Sequence, residues 1–227
     1  VFNLKVKRIY DLHGVKSLIR LLGLIHRKNV KLLVTYHDSA DYFGLVAAKL
    51  CGIPVLSSRR DMGYKLHSRH ITAYRFLNKH FNRIITVSDA VKKEIASTQK
   101  APPEKTVIIR NGVDVAFFSQ PHDTVQIKTA LGIDATKDRI VGMIGSLRKI
   151  KGHHCFIRAA ATVSKTLQHV KFLIVGRDYG EPGCSQRDLM DLAHSQGVHN
   201  DLVFTGERKD IPALLSTMDI VVNASTS

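Results

Sequence analysis

The chain has 227 residues, is 44% hydrophobic and carries 34 Lys and Arg against 19 Asp and Glu, a formal net charge of +15. This apolar fraction, with only 6 Pro and 15 Gly, excludes a disordered or fibrous protein. No apolar run approaches the roughly 20 residues of a membrane-spanning helix, and the three cysteines lack the spacing of a disulfide framework or a zinc site. These features predict a globular cytoplasmic protein.

Short apolar runs alternate with helical patterns through the first half of the chain. Apolar residues recur at helical spacing in residues 15–27 and 42–50, and Ser88 is placed to cap a further helix with its hydroxyl. The runs between these helical patterns predict five strands, at residues 5–10, 31–36, 54–57, 83–87 and 106–109.

The second half repeats this alternation. Its predicted elements are strands at 139–144, 171–175, 202–205 and 219–222, and helices at 153–167, 186–195 and 211–218. Such alternation predicts parallel sheets joined by right-handed crossovers. We therefore expect an α/β protein with two Rossmann-like, doubly wound domains, at residues 1–119 and 138–227. Residues 120–137 are predicted as a linker, with a short helix at 125–131.

The positive charge is concentrated in the first half. Residues 1–119 contain 21 Lys and Arg against 8 Asp and Glu, whereas residues 120–227 contain 13 against 11. The densest stretch, from Arg59 to Arg83, also carries an apolar stripe at helical spacing, formed by Ile71, Tyr74, Leu77 and Phe81. This pattern predicts a basic amphipathic helix whose stripe packs in the core. Its charges then either face an anionic membrane or form a solvated basic face. Nucleic acid is not expected as a partner, because no recognisable binding module is present and aromatic residues make up only 7%.

The loop after the predicted strand at 139–144 is rich in glycine and positive charge. In open α/β sheets, ligands bind beyond the carboxyl ends of the strands. Gly145 and Gly152 let the backbone approach a ligand closely, the following helix offers free N–H groups, and Arg148 and Lys151 can neutralise a diphosphate. The loop has neither the Walker A nor the dinucleotide-binding pattern. An ordinary strand-to-helix turn with a solvated basic face is the alternative.

Four segments carry a resemblance to a known family: the loop at 145–152, the Asn-Gly-Val-Asp at 111–114, the Val-Ser-Asp-Ala-Val at 87–91 and the Gly-Glu-Arg-Lys-Asp-Ile-Pro at 206–212. With these segments in this order, nearly the whole chain resembles the retaining glycosyltransferases of the GT-B fold, the group 1 family also called family 4. The resemblance implies a nucleoside diphosphate sugar as the donor, bound mainly by the second domain. It also implies a saccharide or lipid-linked acceptor, bound mainly by the first, with no cofactor and no metal.

The resemblance also assigns donor-binding residues. Lys151 is expected to contact the donor diphosphate beside Gly145. Ser146 stands where the family commonly has Arg, and Arg148, two residues further on, is expected to reach the same oxygen atoms. Arg208 is the residue expected near the base of the donor, although a helix-leading surface turn capped by Asp210 explains the same segment.

On the acceptor side, His37 and Asp38 follow a predicted strand at the position where related enzymes place polar contacts to the acceptor. A lone histidine is more often structural, which is the alternative for His37. The family often has a further histidine after the next strand, where this chain has Arg60, preceded by Arg59. This basic pair suits an acceptor or donor that bears phosphate or carboxylate.

Two features of the resembled family are not found between Val1 and Ser227: its N-terminal glycine-rich loop, and an acidic motif that contacts the donor sugar. We therefore expect a chain that lacks both ends of the enzyme, with unknown catalytic residues and no turnover on its own. The function predicted for the whole enzyme is sugar transfer in the synthesis of bacterial envelope polysaccharide or glycolipid. The expected location is the cytoplasm, either free or peripheral on the inner face of the cell membrane. A sugar-nucleotide 2-epimerase of the same fold and a non-catalytic binder of anionic membranes remain the alternatives.

Overall fold

A computed structural model describes residues 12–36, 38–63 and 66–226. The chain forms two compact units, Val1–Val113 and Asp114–Ser227, here called the N-terminal and C-terminal units. Each contains a four-stranded parallel sheet joined by helices, which confirms the predicted α/β class with two Rossmann-like domains. The strand predicted at 5–10 lies outside the described residues. No helix in the described part of the chain has the length and hydropathy needed to cross a membrane.

In the N-terminal unit the four strands are all parallel, and neighbouring strands of the sheet follow the order of the chain. Tyr36 pairs in register with Ser58, and Arg59 with Thr86, so that the loops following these strands leave from the same edge of the sheet. The elements are α1 (Leu12–Arg27), β1 (Leu33–Tyr36), α2 (Asp38–Leu50), β2 (Val55–Arg59), α3 (Ser68–Leu77), β3 (Arg83–Thr86), α4 (Asp89–Gln99) and β4 (Thr106–Ile108).

The basic stretch from Arg59 to Arg83 is not one helix, contrary to the prediction. Arg59 ends β2, α3 begins only at Ser68, and a 3-10 turn follows at Asn78–His80. Buried apolar residues keep a helical spacing beyond the end of α3. Tyr74 lies on α3 and Phe81 lies after the 3-10 turn, and both are buried in the same core. The apolar stripe therefore packs inside the unit, as predicted. Ser88 caps α4 as expected, with its Oγ accepting from the Val91 N–H at 3.2 Å.

In the C-terminal unit the four strands are again all parallel, in the order β7 (Leu202–Gly206), β6 (Val170–Val175), β5 (Arg139–Ile144) and β8 (Ile220–Val221). The chain runs outward from β5 through β6 to β7 and then returns to the other side of β5, so the strand order reverses at β5. Such a switch point is where open α/β sheets bind ligands. The elements are α5 (Val115–Phe118), α6 (Thr124–Ala130), β5 (Arg139–Ile144), α7 (His153–Ser164), β6 (Val170–Val175), α8 (Gln186–Ser195), β7 (Leu202–Gly206), α9 (Ile211–Thr217) and β8 (Ile220–Val221).

The segment predicted as a linker, residues 120–137, lies within the C-terminal unit. Asp123 begins α6 by accepting a hydrogen bond from the Gln126 N–H at 3.0 Å. Ile127 then packs against a buried cluster that includes Ile140 of β5 and Leu214 of α9. Apolar burial thus places this segment on the sheet of the C-terminal unit.

Candidate functional site

Backbone hydrogen bonds connect the loops that follow β5, β6 and β7. The Gly145 N–H donates to the Val175 carbonyl at 2.8 Å, and the Gly176 N–H donates to the Gly206 carbonyl at 2.9 Å. One residue beyond Ser146, the Leu147 N–H donates to the Arg177 carbonyl at 2.9 Å. The three strand ends are therefore held side by side, and the predicted donor loop after β5 is bonded to the loop after β6 rather than projecting alone.

Two glycines in this region are required by close backbone contacts. A Cβ atom on Gly176 would lie 1.9 Å from the Gly145 carbonyl oxygen, where no side chain fits. Gly152, at the start of α7, has a φ of +75°, and a Cβ there would lie 2.0 Å from the Ala224 carbonyl oxygen. The glycines thus allow the backbones of neighbouring segments to meet. At Gly152 the close approach is to Ala224, and the predicted approach to a ligand stays a prediction.

The structure brings the predicted donor-binding residues Gly145, Ser146, Arg148 and Lys151 together on this loop. The aliphatic stem of Lys151 lies 3.7 Å from the position of a Cβ on Gly145. The Arg148 guanidinium lies 4.5 Å from the centroid of the Tyr179 ring. Within the described ranges, no carboxylate lies within 4.0 Å of either cation. Two uncompensated positive charges therefore lie beside the start of α7, where free N–H groups also favour an anion.

His153, the first residue of α7, is a feature of this site that the sequence did not predict. Its side chain is 0% exposed. Its Nε2 lies 3.0 Å from the Ser146 carbonyl oxygen, and because a carbonyl only accepts, Nε2 carries the proton. Its Nδ1 is buried without a partner among the described residues. Burial lowers the pKa of His153 below its ordinary value of 6.5, so the ring is neutral.

Arg208 lies in the turn after β7 and is paired with Asp210. Its Nε donates to Oδ1 of Asp210 at 2.9 Å, and its second terminal nitrogen donates to Oδ2 at 2.6 Å. These hydrogen bonds hold the pKa of the Asp210 carboxyl below its usual range. The Asp210 side chain therefore orients Arg208 instead of capping α9. A contact between Arg208 and a donor base stays a prediction.

On the acceptor side, Asp38 and Arg60 line one small cavity of about 30 Å³ at the carboxyl edge of the N-terminal sheet, together with Tyr36. Asp38 is the first residue of α2. Arg60 is exposed, donates a hydrogen bond to the Asn111 side chain, and holds its guanidinium 5.9 Å from the centroid of the Tyr36 ring. His37 lies outside the described residues.

Arg59 lines the same cavity, but it is 8% exposed and its donors are bonded within the protein. Its guanidinium also lies 3.6 Å from the centroid of the Tyr74 ring. The nitrogen atoms of Arg59 contact four side chains: Ser57 at 2.6 Å, Asp41 at 3.2 Å, Gln99 at 3.0 Å and Asn78 at 3.2 Å. The predicted basic pair is thus divided, because Arg60 faces outward whereas Arg59 belongs to a buried network.

Asp41, at 0% exposure, is the centre of this network and was not predicted. Its Oδ2 accepts from Ser57 and from the Tyr74 hydroxyl, both at 2.9 Å, and its Oδ1 accepts from Thr35. Burial is the main cause that raises the pKa of Tyr74. One signal was available in the sequence: Ser57 and Arg59 are two residues apart in a strand, so they share a face of the sheet. In all the described ranges, including this network, no three His, Cys, Asp or Glu side chains are placed to hold a metal ion.

Comparison with known proteins agrees with this architecture. Among curated proteins, a D-inositol 3-phosphate glycosyltransferase of Mycobacterium marinum is 27% identical over 148 residues, which are 64% of this chain and 30% of that protein. The lipopolysaccharide core biosynthesis mannosyltransferase LpsB of Rhizobium meliloti is 25% identical over 156 residues, 68% of this chain and 42% of that protein. The chain thus spans less than half the length of these two relatives.

Among solved structures, the crystal structure of Anabaena HepE in complex with UDP matches with a TM-score of 0.84. The match has 23% sequence identity and covers 95% of this chain and 58% of that one, and at this identity it supports the fold alone. Two family models match the sequence itself: Glycosyltransferase Family 4 at residues 7–117 and Glycosyl transferases group 1 at residues 138–227. Residues 7–117 are therefore similar to glycosyltransferases of family 4 and residues 138–227 to glycosyl transferases of group 1, on two parallel-sheet α/β units of the GT-B type.

Proposed function

We propose that the C-terminal unit binds a nucleoside diphosphate sugar and that the enzyme transfers the sugar to an acceptor hydroxyl held by the N-terminal unit. The observation that supports this most is the loop after β5, where Arg148 and Lys151 have no carboxylate partner among the described residues and lie beside the free N–H groups of α7. A diphosphate supplies the charge that this loop lacks. HepE, which shares the fold, was crystallised with UDP.

The proposed reaction retains the configuration of the anomeric carbon. The acceptor oxygen forms its bond on the same face from which the diphosphate leaves, and a leaving-group oxygen takes the acceptor proton. Negative charge therefore builds on the diphosphate as the glycosidic bond breaks. Lys151, Arg148 and the first N–H groups of α7 stabilise this charge, so that the protein acts by positioning and electrostatics, without a cofactor or metal.

The proposed acceptor is a saccharide or lipid-linked saccharide of the bacterial envelope. The name of the LpsB relative, a lipopolysaccharide core mannosyltransferase, supports this class. In the N-terminal unit, Asp38 offers a carboxylate that accepts from sugar hydroxyls and Arg60 offers exposed donors. Because Arg59 is neutralised by Asp41, we assign the acceptor contact to Arg60 and not to the pair.

Calorimetric titration of the chain with UDP, GDP and ADP tests the donor site, with the matching monophosphates as controls. We expect at least one diphosphate to bind, and to bind more tightly than its monophosphate, because the second phosphate meets Lys151 and the N–H groups of α7. Equal binding of both forms, or none, would contradict the assignment. Incubating the enzyme with the donor alone, followed by analysis of the sugar, separates transfer from 2-epimerisation, since only an epimerase inverts the configuration at C2 of the sugar.

Binding to an anionic membrane is a second proposal, supported by the exposed side of α3. Phe76 is 65% exposed there, and the exposed cations Arg69 and Lys79 lie on α3 and the turn that follows it. An exposed aromatic ring flanked by cations is typical of a helix that lies on a lipid surface. Co-sedimentation with phosphatidylglycerol vesicles tests this, with phosphatidylcholine vesicles as the control. Binding to both or to neither would contradict it.

A further inference from the structure

His153 lies beneath the donor loop and is the only buried side chain described there that contacts the loop backbone through a polar atom. Its Nε2–H donates to the Ser146 carbonyl at 3.0 Å. The other end of the same peptide group is also held, because the Leu147 N–H donates to the Arg177 carbonyl at 2.9 Å. The peptide between Ser146 and Leu147 is therefore fixed at both of its polar atoms.

The preceding peptide group presents the Ser146 N–H. The Gly145 carbonyl oxygen of that peptide faces Gly176, at 1.9 Å from the position of a Cβ there. In a trans peptide the N–H points opposite to the carbonyl, so the Ser146 N–H points away from the β6 loop. No oxygen of the described residues accepts from it. This amide is a free hydrogen-bond donor, next to Lys151, whose stem packs on Gly145.

We propose that His153 is a positioning residue that fixes the turn at Ser146 so that the Ser146 N–H donates to the diphosphate of the donor. The inference rests on the proposed donor site. His153 itself does not touch the donor, because its side chain is 0% exposed. It acts through the Ser146 carbonyl, and it has to be neutral for this, since a charged ring would bury a second N–H with no acceptor.

The charges around His153 favour the neutral ring as well. Lys151 precedes it by two residues and His154 follows it, and both oppose a further positive charge. The unpartnered Nδ1 remains a cost to the fold, because buried polar atoms are rarely left without a hydrogen bond. A role in orienting the loop gives a reason for keeping a histidine at this position.

The test compares three variants of the full chain by titration with UDP, GDP and ADP. His153→Met fills the same volume without a donor, whereas His153→Gln places an amide N–H near the position of Nε2. His154→Met is the matched control, because it changes the neighbouring histidine, which has no role in the loop contact. We expect His153→Met to weaken diphosphate binding at least about fivefold, and His153→Gln and His154→Met to stay within about twofold of the wild type.

The outcomes separate the two proposals. If the wild type binds no diphosphate, the proposed donor site fails and the positioning role with it. If the wild type binds and His153→Met binds equally well, only the positioning role fails. Should His153→Met not fold, ¹⁵N NMR of the wild type decides: we expect a proton on Nε2 of His153 and a shift of the Ser146 amide with diphosphate. A proton on Nδ1, or an unchanged Ser146 amide, would overturn the inference.

Discussion

The two units use their positive charge in opposite ways. The N-terminal unit buries Arg59 against Asp41 and surrounds it with hydroxyl and amide side chains. The C-terminal unit, with a nearly balanced composition, leaves Arg148 and Lys151 without a carboxylate partner among the described residues at the switch point of its sheet. For the proposed donor site, the pairing of each cation is therefore a better guide than the cation content of each half.

The two units also hold their strand-end loops by different means. In the N-terminal unit the carboxyl edge is fixed by side chains, with Asp41 at the centre. In the C-terminal unit the loops are fixed by backbone contacts that need glycine, as at Gly176 and Gly152. Substitutions of buried carboxylates are thus expected to damage the first unit most, and substitutions that add a Cβ to damage the second.

The largest effect is expected for Asp41→Asn. The change leaves the buried Arg59 without its counter-charge, which typically costs about 3–5 kcal/mol. Hydrogen exchange of core amides in β3 and α4 measures the loss within the N-terminal unit. Asp89→Asn, which removes the carboxylate of the exposed pair with Arg110, is the control and is expected to cost less than about 1 kcal/mol. Equal losses of stability in the two variants would contradict the expectation that a buried cation depends more on its counter-charge than an exposed one.

Gly176→Ala is expected to destabilise the C-terminal unit by about 3 kcal/mol, because its Cβ would collide with the Gly145 carbonyl oxygen and force β5 and β6 apart. Gly112→Ala is the control, since no atom lies within 4 Å of the position of its Cβ. Denaturant unfolding, followed by amide signals of each unit separately, compares them. A tolerated Gly176→Ala would show that the loops can separate without cost.

Lys151→Ala is expected to lower donor binding by the chain, and activity of the whole enzyme, at least about tenfold, which corresponds to roughly 1.4 kcal/mol. The lysine at the other end of α7, Lys165, provides a control with the same change of charge. If Lys165→Ala has an equal effect, the lysines act only through the net charge of the unit. Wild-type activity in Lys151→Ala would contradict its assignment.

The smallest effect is expected for pH. The folded pKa of His153 lies below 6.5, so between that value and 6.5 the unfolded chain binds a proton that the folded chain does not. The contribution of His153 to stability is therefore complete above pH 6.5 and decreases as the pH falls toward the folded pKa. His153→Gln is expected to lose this dependence. Thermal unfolding of the wild type and of His153→Gln at pH 7.5 and 5.5 measures this dependence. Equal changes of the unfolding temperature with pH in the two proteins would contradict the expectation.

The fold and the position of the strand-to-helix loop at residues 145–152 could be predicted because their signals are local. An apolar run, then Gly145 and basic residues, then a helical pattern describe one continuous stretch of chain. The network around Arg59 could not be predicted in the same way. Its partners lie on α2 and α3 and at the end of α4, and their choice depends on how three helices pack on one sheet. The apolar stripe that ends at Phe81 likewise has helical spacing because its residues pack in one core, and not because they belong to a single helix.

The contact between Gly176 and the Gly145 carbonyl has a consequence for engineering donor specificity. Because a Cβ on Gly176 would collide with the Gly145 carbonyl oxygen, a mutagenesis library that varies Gly176 would consist mostly of misfolded members. Residues 177–183 offer better positions for substitution, since most of them are exposed. One of them, Tyr179, has its ring centroid 4.5 Å from the Arg148 guanidinium. Diversity placed there changes the surroundings of the proposed donor site and leaves the alignment of the strand ends intact.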